Sequence, residues 1–144
     1  MLKKASFHLD GGFIDSYSQK KVPWGPIGYF VYKRTYSRKI DGRTEEWFET
    51  VRRVVEGTYS LQKSHCETFN LKWDETKSQR SAEKMYDLIF NMKFLPPGRG
   101  LWAMGTEMLW EKGSAALNNC AFVSTDEIEK DPTAPFCFLM DMSM

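Results

Sequence analysis

The run Pro96-Pro97-Gly98-Arg99-Gly100 constrains this chain more than any other stretch. A proline has no amide hydrogen to donate and restricts the residue before it, so no helix continues through the pair. Gly98, Gly100 and Gly105 then give the backbone access to tight turns. The chain therefore divides into residues 1–93, read as a helical N-terminal region, and residues 94–144, read as a glycine-rich loop, a strand and the start of a helix. The strand is placed at Leu117–Ser124, a short apolar run with Cys120 at its centre.

Ahead of the prolines a single helix stands out. Trp47, Phe48, Val51, Val54, Val55 and Tyr59 recur at three- and four-residue spacing, which makes one apolar face and predicts a helix over about 44–63. Thr44 is its expected cap, and Glu45 and Glu46 suit the positive end of the helix dipole. A second helix is predicted over about 81–92, capped by Ser81, with Ala82, Met85, Tyr86, Ile89 and Met92 on its apolar side. Upstream, residues 1–22 are polar and weakly patterned. Asp10 could cap a short helix that carries Phe13, Ile14 and Tyr17. Pro23–Gly28 reads as a turn, and the aromatic and β-branched run Tyr29–Tyr36 reads as an extended segment or strand. Asp41-Gly-Arg-Thr44 breaks the chain again. Downstream, Thr106 is a cap for a short helix through Lys112, Asp126–Pro132 is a polar turn, and Pro135–Met144 begins a buried helix.

Composition narrows the class. A net charge of +1 gives no electrostatic case for a nucleic acid or an anionic membrane as the main partner. No apolar run is long enough to span a bilayer, and the N-terminus lacks the apolar centre of a signal peptide, so a cytoplasmic location is expected. Cys66, Cys120 and Cys137 form no CxxC pair, and the cytosol keeps such thiols reduced. With only His8 and His65 beside them, no conventional metal-ligand set is present.

Four motifs in order then carry a resemblance: Trp24-Gly-Pro-Ile-Gly-Tyr-Phe-Val-Tyr-Lys-Arg-Thr-Tyr36, Asp41-Gly-Arg-Thr-Glu-Glu-Trp47, the Pro-Pro-Gly-Arg-Gly-Leu-Trp loop, and Leu117-Asn-Asn-Cys120. From about Phe13 to Met144 the chain resembles the N-terminal region of the adenosylcobalamin-dependent, class II ribonucleoside-triphosphate reductases. The resemblance implies an α/β fold in which a mostly helical N-terminal region precedes the first strand of a ten-stranded α/β barrel. It implies replacement of the ribose 2′-hydroxyl of a nucleoside triphosphate by hydrogen, through thiyl-radical chemistry that adenosylcobalamin initiates. Cys120 would be one half of the reducing dithiol, which a thioredoxin-like reductant reopens. The radical cysteine, the second half of the pair, the effector site and most cobalamin contacts would lie downstream.

Asn119 and the loop residues Gly98 and Arg99 are the candidate substrate-side groups. An amide beside the thiol could orient it, and an arginine in a glycine-rich loop could pair with phosphate. Simpler readings stand beside these. Arg99 could equally make a structural salt bridge. Cys137 reads as a core residue and Cys66 as incidental, while His8 and His65 read as surface residues. Trp24, Trp47 and Trp102 read as packing anchors, and the pairs Lys33-Arg34 and Arg52-Arg53 read as solvated faces. The end of the sequence in an apolar run points to the front piece of a split or intein-interrupted reductase that needs its C-terminal portion. The alternative is a non-catalytic remnant that acts as a binding or subunit-interaction module.

Overall fold

A computed structural model describes residues 4–40, 42–118, 120 and 122–141. Helix α1 is Gly11–Asp15 and α2 is Pro26–Thr35. A two-stranded antiparallel ribbon follows, β1 Lys39–Ile40 and β2 Arg43–Thr44, with Ile40 opposite Arg43. Then come α3 Trp47–Thr68, α4 Glu75–Phe90, α5 Gly98–Ala103, α6 Glu107–Lys112, a 3-10 helix Gly113–Leu117 and α7 Ala134–Asp141.

The centre is the α3–α4 hairpin. Val51, Val54, Val55 and Tyr59 of α3 bury against Ala82, Tyr86, Ile89 and Phe90 of α4. Each fully buried aliphatic or phenyl side chain contributes about 1.5–3 kcal/mol, so this stripe dominates the stability of the unit. Two polar tips tie the helices across the core: the Trp47 indole N–H donates to the Phe90 carbonyl at 3.1 Å, and the Tyr86 hydroxyl to that of Phe48 at 2.9 Å. The cap of α3 is Glu46 rather than Thr44. Its carboxylate and that of Glu49 close a reciprocal capping box, while Thr44 lies in β2. Likewise α4 starts at Glu75 behind the Asp74 cap, well before Ser81. Asp10 does cap α1, accepting from the Phe13 amide at 2.9 Å.

Residues 4–10 lie extended along α3. Ala5, Phe7 and Leu9 point inward, and their amides donate to Ser64 Oγ (2.9 Å), Ser60 Oγ (3.0 Å) and Glu56 Oε1 (3.0 Å). Two residues of extended chain advance about 6.6 Å and four residues of helix about 6 Å, so every second amide meets every fourth side chain. Ser64 is fully buried and also donates to the Ser60 carbonyl. Ser64→Ala leaves the buried Ala5 amide without its acceptor. The expected loss is about 1–3 kcal/mol, read from the urea midpoint.

Three expectations are corrected. Tyr29–Thr35 is helical, with Tyr36 as the C-cap: Pro26 takes the first helical position, where a missing amide costs nothing, and Tyr32 reaches inward against Trp24 and Trp47. The strand over Leu117–Ser124 is not formed among the described residues. Gly113–Leu117 is a 3-10 helix, and Asn118, Cys120 and Phe122–Ser124 have no ladder partner, without which an extended segment gains no hydrogen bonds. Asn119 lies outside the described residues. The last run does form a helix, α7, but it is not buried: Phe136, Phe138, Met140 and Cys137 are exposed. Asp41 and Met142–Met144, which fall within two of the expected elements, lie outside the described residues.

Candidate active-site segment

The 98–106 segment is held by an ion pair that sequence reasoning missed. Glu45 is 1% exposed. Arg53 Nε donates to its Oε1 at 2.7 Å and Nη2 to its Oε2 at 3.1 Å. Thr50 Oγ1 donates to the same Oε2 at 2.7 Å, and the Arg38 amide at 3.2 Å. Burial alone would raise the Glu45 pKa. The hydrogen bonds from Arg53 and Thr50, the Arg53 charge and the Arg38 amide outweigh that and hold it below the ordinary value of 4.5. The backbone carbonyl of Glu45 is saturated too, by Ser37 Oγ (2.7 Å), Lys33 Nζ (2.8 Å) and the Tyr32 hydroxyl (3.0 Å).

Arg53 then uses its remaining donors on the segment itself. Nη1 reaches the Met104 carbonyl at 2.5 Å and Nη2 the Leu101 carbonyl at 2.9 Å. These carbonyls lie at the C-terminal end of α5, where helical acceptors lack intrahelical donors. Two glycines let the backbones touch at the same place. A Cβ on Gly57 would collide with the Gly105 backbone, and one on Gly105 with the Arg53 carbonyl; Gly105 also has φ +76°. The side chain of Arg53 is therefore no solvated face, and Lys33 is also engaged, with Nζ 2.6 Å from Glu46 Oε1. Alternation of charge along α3 carries no sign of such a role. The signal lay in the two glycines, Gly57 inside a long helix and Gly105 after the Pro-Pro-Gly loop.

Gly98 and Arg99 lie on α5, a short helix rather than an open loop. They line an open groove of about 610 Å³ together with Thr35, Tyr36 and Trp102. The Tyr36 ring lies against Gly98, where a Cβ would meet it at 3.2 Å. Trp102 is more than a packing anchor, because the guanidinium of Arg38 lies over its ring at 4.7 Å and that of Arg99 at 5.7 Å. Trp24 and Trp47 do pack against the core, 4.9 Å apart at their ring centroids.

Cys120 follows the 3-10 helix with its thiol exposed, and it is not among the residues that line the groove. Cys66 is half-buried on α3. His8 and His65 are at the surface. Among the described residues no group of three His, Cys, Asp or Glu is placed to hold a metal ion, and no helix is long and apolar enough to cross a membrane. The grooves among these residues are open, and none has the enclosure or ligand set of a corrinoid site.

Several known proteins are similar to this chain. Residues 9–106 match the family model described as the ribonucleotide reductase alpha domain. A probable adenosylcobalamin-dependent ribonucleoside-triphosphate reductase of Dictyostelium discoideum is 55% identical over 142 residues, covering 96% of this chain and 19% of the relative. The adenosylcobalamin-dependent ribonucleoside-triphosphate reductase of Euglena gracilis is 50% identical, covering 96% and 20%. A crystal structure of a B12-dependent, class II ribonucleotide reductase superposes with a TM-score of 0.69 at 37% identity, over 79% of this chain and 16% of that one. The chain thus spans about a fifth of the length of these curated relatives.

Proposed function

Because the chain belongs to the ribonucleotide reductase alpha-domain family, we propose that it is the N-terminal portion of an adenosylcobalamin-dependent reductase of ribonucleoside triphosphates. In this reading residues 1–93 are the helical region and residues 94–144 open the catalytic barrel. Cys120 is half of the reducing dithiol. The observation that carries it is the match of the Dictyostelium and Euglena reductases over 96% of the chain, together with an exposed Cys120 thiol downstream of a segment clamped to α3. Gly98, Arg99 and Asn119 are substrate-side residues.

The reaction this assigns is balanced by two thiols. The ribose C2′–O bond breaks, the oxygen leaves as water, hydrogen takes its place, and the two sulfurs close as a disulfide. A thiol serves both needs, as proton donor and as reductant. A thioredoxin-like dithiol reopens the pair. Adenosylcobalamin, when bound, supplies the radical that starts the reaction. In this reading its contacts lie mainly in the remainder of the reductase, since the grooves described above are open. The cytosol is the compartment in which such a dithiol cycle runs.

The exposed apolar side chains of α7 and its approach also support a larger assembly. Phe122 is 92% exposed, Met140 78% and Phe136 63%. Such a set is covered in a functioning protein, and the second strand of a barrel or its helix would cover it. In this reading the segment 117–124, which holds Cys120, becomes a strand when neighbouring strands supply its ladder.

The experiment is reconstitution. The chain is co-expressed with a segment supplying the remaining four-fifths of a relative, and deoxyribonucleotide formation is followed with adenosylcobalamin and a dithiol. Turnover is expected, and Cys120→Ser is expected to lower it by about 10²-fold or more. A folded complex with no turnover would favour the alternative of a non-catalytic binding module.

A further inference from the structure

The groove beside α5 has a composition that the cysteine chemistry does not use. Its five lining residues are Thr35, Tyr36, Gly98, Arg99 and Trp102, and none is acidic. Arg38 joins them from the neighbouring turn, its guanidinium stacked over the Trp102 ring at 4.7 Å. Two guanidinium groups therefore converge on one indole, one from either side of the α3–α4 hairpin in the sequence. Stacking on a ring fixes the plane of a guanidinium and directs its N–H groups outward from the ring edge, which suits a tetrahedral oxyanion. Thr35 is exposed, and Tyr36 presents its hydroxyl beside Gly98, whose lack of a side chain keeps that edge open. The Glu45–Arg53 clamp braces this wall twice over. It takes the Arg38 amide on one side and the Leu101 carbonyl on the other, so the residues that flank Trp102 are fixed before any ligand arrives.

We infer that this groove is a polyphosphate subsite, in which Arg38 and Arg99, oriented on Trp102, hold the phosphate chain of a nucleoside triphosphate. The inference rests on the reductase reading for the identity of the nucleotide. The binding itself is a property of this chain. Recognition is through phosphate oxygens, with Arg–phosphate hydrogen bonds as the main contacts and the Thr35 and Tyr36 hydroxyls as supplementary donors.

The test is calorimetric titration of the full chain with inorganic tripolyphosphate, ATP, adenosine and an acidic peptide. Tripolyphosphate and ATP are expected to bind comparably, and adenosine not to bind. Arg38→Gln and Arg99→Gln are each expected to weaken tripolyphosphate by about tenfold or more, as loss of a charge-assisted hydrogen bond requires. Arg34→Gln, which removes an exposed arginine over Phe30 on α2, is expected to leave it unchanged. Circular dichroism checks that the variants fold. Should Arg99→Gln disturb α5, Arg38→Gln carries the same test from the other side of the groove. No binding of tripolyphosphate to the wild-type chain, an equal loss in the Arg34 variant, or tighter binding of an acidic peptide than of tripolyphosphate would overturn the assignment. Because no turnover is measured, its failure leaves the role of Cys120 untouched, and an inactive Cys120 variant leaves the subsite standing.

Discussion

Replacing Gly105 with valine is expected to cost about 2–6 kcal/mol, enough to unfold most of a marginally stable unit. Two independent penalties combine. Gly105 has φ +76°, a conformation that costs a β-branched residue about 1–3 kcal/mol. A side chain there also meets the Arg53 carbonyl and Cγ, and overpacking of a closed contact costs about 1–3 kcal/mol more. Gly113→Val separates the two effects. Gly113 also has positive φ, +68°, but nothing lies within 4 Å of its Cβ position, so it incurs only the conformational penalty. Urea midpoints of the two variants measure the difference. Equal losses would show that the backbone contact between α3 and the Met104–Gly105 turn is not made.

Arg53→Met is the second large effect, expected at about 3–5 kcal/mol, because it strands a buried carboxylate. Methionine keeps much of the volume but leaves Glu45, 1% exposed, with only the Thr50 hydroxyl and the Arg38 amide. It also frees the Leu101 and Met104 carbonyls. Glu45→Met combined with Arg53→Met is expected to recover some of the loss, since no charge then remains buried. The pH dependence follows from the direction of the shift. The folded-state pKa of Glu45 lies below its unfolded value, so its contribution is fully present above about pH 4.5 and is lost as pH falls through the folded value. Glu49, lowered first by its hydrogen bond from Arg43, acts in the same direction. The acid limb of the stability curve is therefore expected to shrink in the double variant and to persist partially through Glu49. An unchanged acid limb would mean that Glu45 is not an ionised, paired group.

Where one element carries its own pattern, the sequence was readable. The face of α3 could be drawn from Val51, Val54, Val55 and Tyr59 alone, because helical spacing and burial agree. The Asp10 cap is equally local. Failures came where a distant partner decides. Tyr29–Tyr36 has strand-like composition, yet the run is helical through Thr35, and from that helix the Tyr32 hydroxyl lies 2.8 Å from Thr50 Oγ1 and its ring packs beside Trp47. Ala5, Phe7 and Leu9 alternate correctly for an extended segment, but their acceptors lie on α3, far along the chain. Arg53 reads with Arg52 as a charged pair on a solvated face, and only the fold brings it to Glu45 and Met104. Of the candidate site, Gly98 and Arg99 fall on one groove, whereas Trp102 and Arg38 gain meaning only once two segments meet. At Leu117–Ser124 the apolar run is plain, and what a strand there would need is a neighbour to pair with.

Mapping thiols after a single turnover tests most directly whether Cys120 is half of a reducing dithiol. The chain, joined to the rest of a reductase, is given one equivalent of ribonucleoside triphosphate without external reductant, then alkylated and digested. The expected product is a disulfide from Cys120 to a cysteine of the joined segment, formed in step with deoxyribonucleotide, with Cys66 and Cys137 alkylated. Deoxyribonucleotide accumulating while Cys120 stays a free thiol would contradict that role.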